Sequence, residues 1–176
     1  YDPKKALKLL REAGWSDKNG DGILEKGREK FRFHLSYSTS SEEFKRLADM
    51  ITQQLYEIGV EVETQPVSVQ EMFGKKKAGG YDAMLSDIST TQPGNIWGTN
   101  SLNKGENLNF SNYSNREADD LINQISTAKD AREKRRISGM LDRVIHEDAP
   151  AVFLYFQTDH SVVSSRFKEG SEFRNE

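Results

Sequence analysis

The chain has 176 residues, and its 25 Lys and Arg against 28 Asp and Glu give a net charge of −3 at pH 7. This balance argues against a nucleic-acid-binding module, which normally carries a clustered basic excess. There is no Cys, which excludes zinc–thiolate sites and Cys nucleophiles. No apolar stretch approaches the ~20 residues that a membrane-spanning helix needs.

Predicted helices and strands alternate through the first half of the chain. Asp2 before Pro3 and an apolar stripe that ends at Gly14 predict a helix over residues 3–13. Residues 31–37 alternate apolar and polar side chains, which predicts a strand. Four more elements follow: a helix capped by Ser40 and Glu43 that ends at Gly59, a strand over 60–67, a short helix through 78 capped by Ser68 and Glu71, and a strand over 81–88.

Two amphipathic helices dominate the second half. Their predicted capping pairs are Ser114 with Glu117 and Asp130 with Glu133, and Pro150 ends the second helix. The apolar run 151–156 predicts a strand covered on both faces, and a weaker strand is predicted around residues 162–163. The alternation of elements predicts an α/β fold with a mostly parallel sheet flanked by helices.

Residues 90–112 form a long segment without helical or strand periodicity. The segment is rich in Asn and includes Trp97 and Phe110. Loops of this length in a compact domain are usually functional or disordered, and the aromatic residues argue against disorder. Because ligands of open α/β sheets bind beyond the carboxyl ends of strands, a binding loop is predicted here. The alternative is a surface loop that its aromatic residues merely anchor.

No catalytic motif accompanies the histidines. His34 lies on the polar face of its predicted strand, and His146 lies near a helix C-terminus, where a cation suits the helix dipole. Neither these residues nor His160 belongs to a metalloprotease, serine-hydrolase or phosphate-binding motif. We therefore predict that the protein is not an enzyme.

The turn at residues 17–22 resembles the first half of a calcium-binding loop. Asp17, Asn19 and Asp21 occupy the first, third and fifth ligand positions, and Glu25 occupies the ninth. Arg28 stands at the twelfth position, where such loops carry a bidentate Glu. The alternative is an ordinary turn, since Gly, Asn and Asp favour turns for backbone reasons of their own. The sequence predicts no cofactor, and calcium is the one metal that it suggests as a candidate.

Four segments, in this order, resemble one family. They are "YDPKKALKLLREAGW" with the following "FRFHLSYS", "LADMITQQLYEIGVEVETQPV", "GGYDAMLSDIS", and "FSNYSNREADDLINQ" continuing into "HEDAPAVFLYF". Together they are similar to the last third of family 5 bacterial extracellular solute-binding proteins, the dipeptide, oligopeptide and nickel group. The resemblance covers nearly the whole chain.

The resemblance implies one lobe of a type II periplasmic-binding-protein-like fold. Residues 1–166 would form the C-terminal ligand-binding lobe of a larger protein, and residues 167–176 a loose, truncated tail. The expected partners are a peptide or small-molecule solute, the N-terminal lobe of the same full-length protein and the permease subunits of an ABC importer, with no nucleic acid. The implied location is periplasmic or extracellular, with a lipoprotein anchor in a Gram-positive host. The start at Tyr1, without Met or a signal segment, also leads us to expect a piece of a longer protein.

One departure from the family bears on the solute. In peptide-binding relatives, a Trp and then an Asp that grips the peptide ammonium stand where this chain has Ile88 and Thr91. Asp87 can replace that Asp by a small register change, whereas Asp82 is expected to be structural. The predicted solute-binding residues are Asp87, Thr90, Thr91, Gln92, Asn95, Trp97, Phe110 and Tyr113.

Three function classes were compared, and beside an enzyme, for which the sequence offers no motif, two classes remain. The first is solute binding and delivery to an ABC importer, with an oligopeptide or a related small polar solute. The alternative is a small calcium-binding or protein-interaction module that uses the turn at residues 17–22.

Overall fold

The computed structural model describes residues 1–78, 80–87, 92–103 and 108–156. The chain divides into two units, Tyr1–Thr91 and Gln92–Glu176, and each has a hydrophobic core of its own. The predicted boundary between a lobe and its tail at residue 166 lies outside the described residues, so this boundary stays a prediction. Within the described residues, no helix is both long enough and apolar enough to span a membrane.

The first unit is an α/β arrangement that contains two small sheets. Its elements are α1 (Pro3–Glu12), β1 (Glu25–Lys26), β2 (Glu29–Lys30), β3 (Arg32–Ser38), α2 (Glu42–Tyr56), β4 (Glu61–Val67), α3 (Val69–Ala78) and β5 (Ala83–Met84). Strands β1 and β2 form an antiparallel hairpin, while β4, β3 and β5, in that order, form a parallel sheet. The predicted α/β class with a mostly parallel sheet is confirmed.

The core of the first unit lies between the parallel sheet and α2. Strand β3 pairs with β4 over its whole length, from Arg32 opposite Glu61 to Ser38 opposite Val67. Leu35 of β3, Ala48 of α2 and Val62 of β4 are buried together. These positions match the strand and helix periodicities of the sequence, which explains why these elements were predictable.

Two local predictions for this unit need correction, and one element was not predicted. The N-cap of α2 is Ser41, whose hydroxyl accepts from the backbone N–H of Phe44, because the Ser40 hydroxyl is hydrogen-bonded to that of Ser38. Strand β5 is much shorter than the predicted strand over 81–88, whose last residue lies outside the described residues. The β1–β2 hairpin was not predicted, because two-residue strands carry no readable period. The capping box of Ser68 and Glu71 is confirmed.

The second unit is helical in its described part. It contains α4 (Pro93–Trp97), a 3₁₀ helix (Thr99–Asn103), α5 (Arg116–Thr127) and α6 (Ala131–Asp148). Helices α5 and α6 pack through the apolar stripes that predicted them, and Leu121 and Ile137 are among the buried residues. The N-cap of α5 is Asn115 rather than Ser114, because the Asn115 side chain accepts from two backbone N–H groups. The predicted N-cap at Asp130 is confirmed.

Two further predictions for the second unit are wrong. The segment 90–112 is not without regular structure, since it contains α4 and the 3₁₀ helix, both too short to show a period. Residues 151–156 do not form a covered strand: Val152 and Phe156 are 80% and 99% exposed. A strand needs a neighbouring strand for its backbone hydrogen bonds, and none pairs with this segment among the described residues. The predicted strand at 162–163 and the tail at 167–176 lie outside those residues.

Gly59 fixes the close approach of two segments in the first unit. Its backbone φ is +80°, and a Cβ at this position would lie 2.9 Å from Cγ of Leu24 and 3.0 Å from the carbonyl oxygen of Gly22. The Gly59 carbonyl also accepts a 2.8 Å hydrogen bond from the N–H of Leu24. Glycine is therefore required both by the backbone conformation and by the space available.

We expect Gly59→Ala to lower the free energy of unfolding by about 3 kcal/mol, from the left-handed backbone and the collision with Leu24 together. Gly20→Ala is the matched control, because Gly20 has a φ of +79° and a Cβ added there would meet no atom within 4 Å. The control should cost about 1 kcal/mol. Urea unfolding of the two variants measures the difference, and equal losses would contradict the steric part of this argument.

Candidate functional site

Five of the predicted solute-binding residues lie in the second unit. Gln92, at the N-cap position of α4, is exposed, and its side-chain oxygen accepts a long hydrogen bond (3.5 Å) from the amide of Asn95. Asn95, Phe110 and Tyr113 are half-buried. Helix α4 begins with Pro93 in its first turn, where proline suits the helix backbone, so a rigid short helix carries the two amides.

Trp97, the fifth of these residues, is a core residue of this unit. It is 8% exposed and makes edge-to-face contacts with Tyr113 and Phe153, at ring-centroid distances of 6.2 and 6.1 Å. Such contacts stabilise buried aromatic clusters beyond the area that they bury. The structure therefore shows Trp97 anchoring α4 to the helices, and its role as a stacking surface for a solute stays a prediction.

Asn109 holds the two ends of the loop together. It is 1% exposed, and its side-chain amide donates to the carbonyls of Tyr113 (2.8 Å) and Gly98 (3.4 Å). Its side-chain oxygen accepts from the N–H of Tyr113 at 2.9 Å. One buried amide thus satisfies backbone groups both directly after α4 and before α5. Sequence reasoning counted Asn109 only as one of many loop amides, because nothing in a single sequence distinguishes the buried Asn from the exposed ones.

Tyr113 and Asp148 connect the loop to the end of α6. The Tyr113 hydroxyl donates to Oδ2 of Asp148 at 2.6 Å, and the Asn115 amide donates to the same oxygen at 2.7 Å. The pKa of Tyr113 is raised well above its usual value, mainly by burial and secondly by the hydrogen bond to Asp148. The hydrogen bonds from Tyr113 and Asn115 lower the pKa of Asp148. Tyr113 is therefore a fixed hydrogen-bond donor and not a proton acceptor at neutral pH.

The remaining predicted solute-binding residues belong to the first unit. Asp87 follows β5 and is exposed, and its carbonyl accepts from the hydroxyl of Ser86 at 3.2 Å. Thr90 and Thr91, together with Ile88, lie outside the described residues. The structure thus describes six of the eight predicted positions, five in one unit and one in the other.

Asp82 has the structural contacts that the sequence led us to expect. Its Oδ2 accepts from the backbone N–H of His34 at 2.9 Å and lies 3.0 Å from Nδ1 of the same residue. These hydrogen bonds lower the pKa of the carboxyl. Nε2 of His34 lies 3.2 Å from a carboxylate oxygen of Glu63, so both ring nitrogens face carboxylates across the parallel sheet. This arrangement links β3 to the segments of both of its neighbours in the sheet, β4 and β5.

The four residues of the predicted calcium site do come together in one turn. Asp17 accepts from the N–H groups of Gly20 (2.7 Å) and Gly22 (2.9 Å). Asp21 accepts from the N–H of Ile23 and forms an ion pair with Lys30, which lowers the pKa of Asp21. These carboxylate oxygens therefore act as acceptors for donors of the protein itself, as in Asx turns.

Asn19 and Glu25 complete the turn. The Asn19 amide donates to Oε1 of Glu25 at 2.6 Å, and the N–H of Lys18 donates to Oε2 at 3.1 Å. Glu25 is buried, and these two donors compensate for the hydration that its carboxyl group loses. Among the residues that the structure describes, no cluster of three or more His, Cys, Asp or Glu has an arrangement suited to a metal ion. Calcium binding by the turn stays a prediction.

We expect this turn to fold without calcium, because backbone N–H groups, the Asn19 amide and Lys30 already occupy its oxygens. The thermal midpoint should be the same in millimolar calcium and in chelator. Arg28→Glu is the comparison variant, since it supplies the carboxylate that calcium loops carry at their twelfth position. A wild-type midpoint that rises by many degrees with calcium and falls again with chelator would contradict this expectation.

We expect Asn109→Asp to lower the free energy of unfolding by about 3 kcal/mol, because a buried carboxylate would face two carbonyl oxygens with no donor of its own. Asn112→Asp adds the same charge at an exposed loop position with a φ of 52°, which Asp tolerates. This control should change stability by less than about 0.5 kcal/mol. Chemical denaturation compares the variants, and equal stabilities would contradict the role assigned to Asn109.

Comparison with known proteins places this geometry in a known family. Residues 1–137 match the model of the family described as bacterial extracellular solute-binding proteins, family 5 Middle. The oligopeptide-binding protein AppA of Bacillus subtilis is 34% identical over 165 residues, which cover 91% of this chain and 30% of AppA. Glutathione-binding protein GsiB of Escherichia coli is 26% identical over 160 residues, or 85% of this chain and 29% of that protein. The chain thus spans about a third of the length of these relatives.

Solved structures agree with the sequence matches. AppA of B. subtilis in complex with a nonapeptide superposes with a TM-score of 0.77 at 33% identity, over 85% of this chain and 30% of that one. A mannohexaose-bound periplasmic oligopeptide-binding protein of Thermotoga maritima superposes with a TM-score of 0.78 over the same shares, and its 21% identity shows the fold alone. The sequence match and the shared fold lead to one conclusion: the chain belongs to family 5 of the bacterial extracellular solute-binding proteins.

Proposed function

We propose that the protein containing this chain binds an oligopeptide or a related small polar solute and delivers it to the permease subunits of an ABC importer. The observation that carries this proposal is the match with AppA, an oligopeptide-binding protein, over 91% of the chain at 34% identity. The family consists of solute-binding proteins, which supports a role in binding rather than in catalysis. The protein would act in the periplasm or at the cell exterior, held by a lipid anchor in a Gram-positive host.

In this proposal the chain supplies one wall of the solute site. A cleft closed by a second lobe, the N-terminal lobe of the full-length protein, would bury most of the solute surface. The chain spans 30% of AppA, which leaves room for such a lobe in a protein of that length. The transporter would then recognise the form in which the two lobes have closed around the solute.

In the second unit, we assign the contacts with the solute to the loop that starts at α4. Gln92 and Asn95 offer amide groups that both donate and accept hydrogen bonds, and Phe110 and Tyr113 offer half-buried rings. Trp97 and Asn109 would hold this loop rigid, which lowers the entropy cost of binding. Asp87, Thr90 and Thr91 complete the proposed set, and Asp87 is the exposed carboxylate among them.

The composition of this set of residues favours a solute whose binding does not require an ammonium group paired with a carboxylate. A buried ammonium needs a paired charge, since leaving it unpaired costs several kcal/mol. Thr91 provides a neutral hydroxyl at the position where peptide-binding relatives carry Asp, and Ile88 lacks the aromatic face that attracts cations. Amides and aromatic rings suit a sugar, or a peptide whose backbone is bound without its terminus. The competing assignment gives the ammonium to Asp87.

We expect the full-length protein to bind peptides with free and with acetylated N-termini with affinities that agree within a factor of about three, because no carboxylate pairs with the terminus. Isothermal titration calorimetry measures both. Asp87→Asn should change the affinities for the free and the acetylated peptide by the same factor, and Asp120→Asn, an exposed change on α5, is the matched control. If acetylation and Asp87→Asn each abolish binding while Asp120→Asn does not, Asp87 binds the terminal ammonium group and the expectation is wrong.

A further inference from the structure

Helix α6 carries four exposed arginines on one face. Arg132, Arg135, Arg136 and Arg143 follow the i, i+3, i+4 and i+11 spacing that places side chains along one side of a helix. We call this side, with Gly139 at its centre, the arginine face. Positions 135, 139 and 143 are each two residues from a buried position of α6, at 137, 141 or 145. Two residues turn a helix by about half a revolution, so the arginine face points directly away from the core.

The positive charge of this face is not neutralised within the described part of the chain. Arg132, Arg135 and Arg143 form no ion pair there, and Arg136 donates to the sulfur of Met140 at 3.4 Å. Asp142 lies at one edge of the face, and Glu147 lies at the other edge, four residues after Arg143, without an ion pair between them. Like charges at these spacings repel one another and weaken the helix. Helix α6 as a whole carries five basic and four acidic side chains, but four of the basic ones lie together on this face.

Gly139 gives an independent reason to look for something outside the chain. Glycine is among the weakest helix formers in a helix interior, and a Cβ at position 139 would meet no atom within 4 Å. No contact in the described residues therefore requires glycine there. A glycine at the centre of an exposed face lets the backbone of another molecule come close to the helix.

We propose that the arginine face is a docking surface for an acidic protein surface, that of the permease subunits to which the protein delivers its solute. The identity of this partner rests on the proposed function. Guanidinium groups bind carboxylates in a bidentate geometry, so a row of four arginines fits a surface that presents Asp and Glu. The gap at Gly139 admits a loop or helix of the partner between the arginines.

A protein fits this surface better than a lipid bilayer does. Helices that lie on membranes insert an apolar face below the headgroups. The apolar side of α6 is unavailable for insertion, since Ile137, Leu141 and Ile145 are 2 to 3% exposed in the core of the unit. Anionic headgroups could meet the arginines only through their charge and would gain nothing from the glycine.

The test uses the full-length protein and its ABC transporter reconstituted in phosphatidylcholine nanodiscs, and it measures solute-stimulated ATP hydrolysis against binding-protein concentration. We expect the double variant Arg132→Glu/Arg143→Glu to raise the half-saturating concentration at least about tenfold, because like charges would then face each other. Arg132→Gln/Arg143→Gln removes the charge with little change in helix propensity and should shift it in the same direction, by less. Lys4→Glu/Lys5→Glu, on exposed α1 positions, is the control with the same charge change and should have no effect.

Gly139→Gln tests the steric part of the proposal separately. Glutamine favours a helix more than glycine does, so the thermal midpoint should rise or stay the same. The half-saturating concentration should nevertheless increase, because the longer side chain fills the gap between the arginines. A variant that is at least as stable yet docks more weakly cannot be explained by damage to the fold.

Each outcome decides between the proposals. Solute affinity measured by calorimetry should be the same in all variants, which separates docking from solute binding. If the wild-type protein stimulates hydrolysis and the charge-reversal variant does so equally well, the docking surface is wrong and the proposed function stands. If the wild-type protein binds solute but never stimulates the transporter, delivery to the importer and the partner assigned here both fail. If the variant loses only binding to phosphatidylglycerol vesicles, the face binds lipid and the proposal is overturned.

Discussion

Strand β3 is bonded on both edges by parallel neighbours, and the first unit is organised around this requirement. Parallel strands cannot be joined by a tight turn, so each pairing needs a crossover connection. Helix α2 carries the chain from β3 to β4, and α3 carries it from β4 to β5 on the other side of β3. The carboxyl ends of all three strands consequently lie at one edge of the sheet, where open α/β sheets bind ligands. Asp87 follows shortly after the last of these strands.

The crossovers depend on residues whose backbone or side chain ends one element and begins the next. Gly59 turns the chain from α2 toward β4 with a left-handed backbone and accepts a hydrogen bond from Leu24, which ties the region of the acidic turn to this connection. Ser68 and Glu71 exchange side-chain and backbone hydrogen bonds at the start of α3. The ion pairs of Arg32 with Glu61 and Glu63 lie among exposed side chains at the start of β3 and β4, where solvent screens them. The ring nitrogens of His34 lie beside Glu63 and Asp82 in the same region.

In the second unit, buried contacts hold the described ends of an irregular loop. Apolar packing supplies Trp97 as an anchor, and the buried amide of Asn109 satisfies the backbone on both sides of the loop. Under the proposed function, these contacts at the ends of the loop would lower the entropy cost of binding a polar solute. The arginine face of α6 lies on the opposite side of that helix from the core, so solute binding and docking would use separate surfaces.

Periodicity and capping chemistry in the sequence determined the helices α1, α2, α5 and α6, the strands β3 and β4 and the parallel α/β class, and the resemblance of four segments indicated the family. These features depend on residues close together along the chain, and their pattern repeats often enough to be read. The tertiary structure alone decided the short elements, the choice of Ser41 and Asn115 as caps, and the exposure of residues 151–156. It also separated Trp97 and Asn109, which are buried, from Gln92, which is exposed. Burial and hydrogen-bond partners depend on contacts between segments that are distant along the chain, and these contacts cannot be inferred from a single sequence.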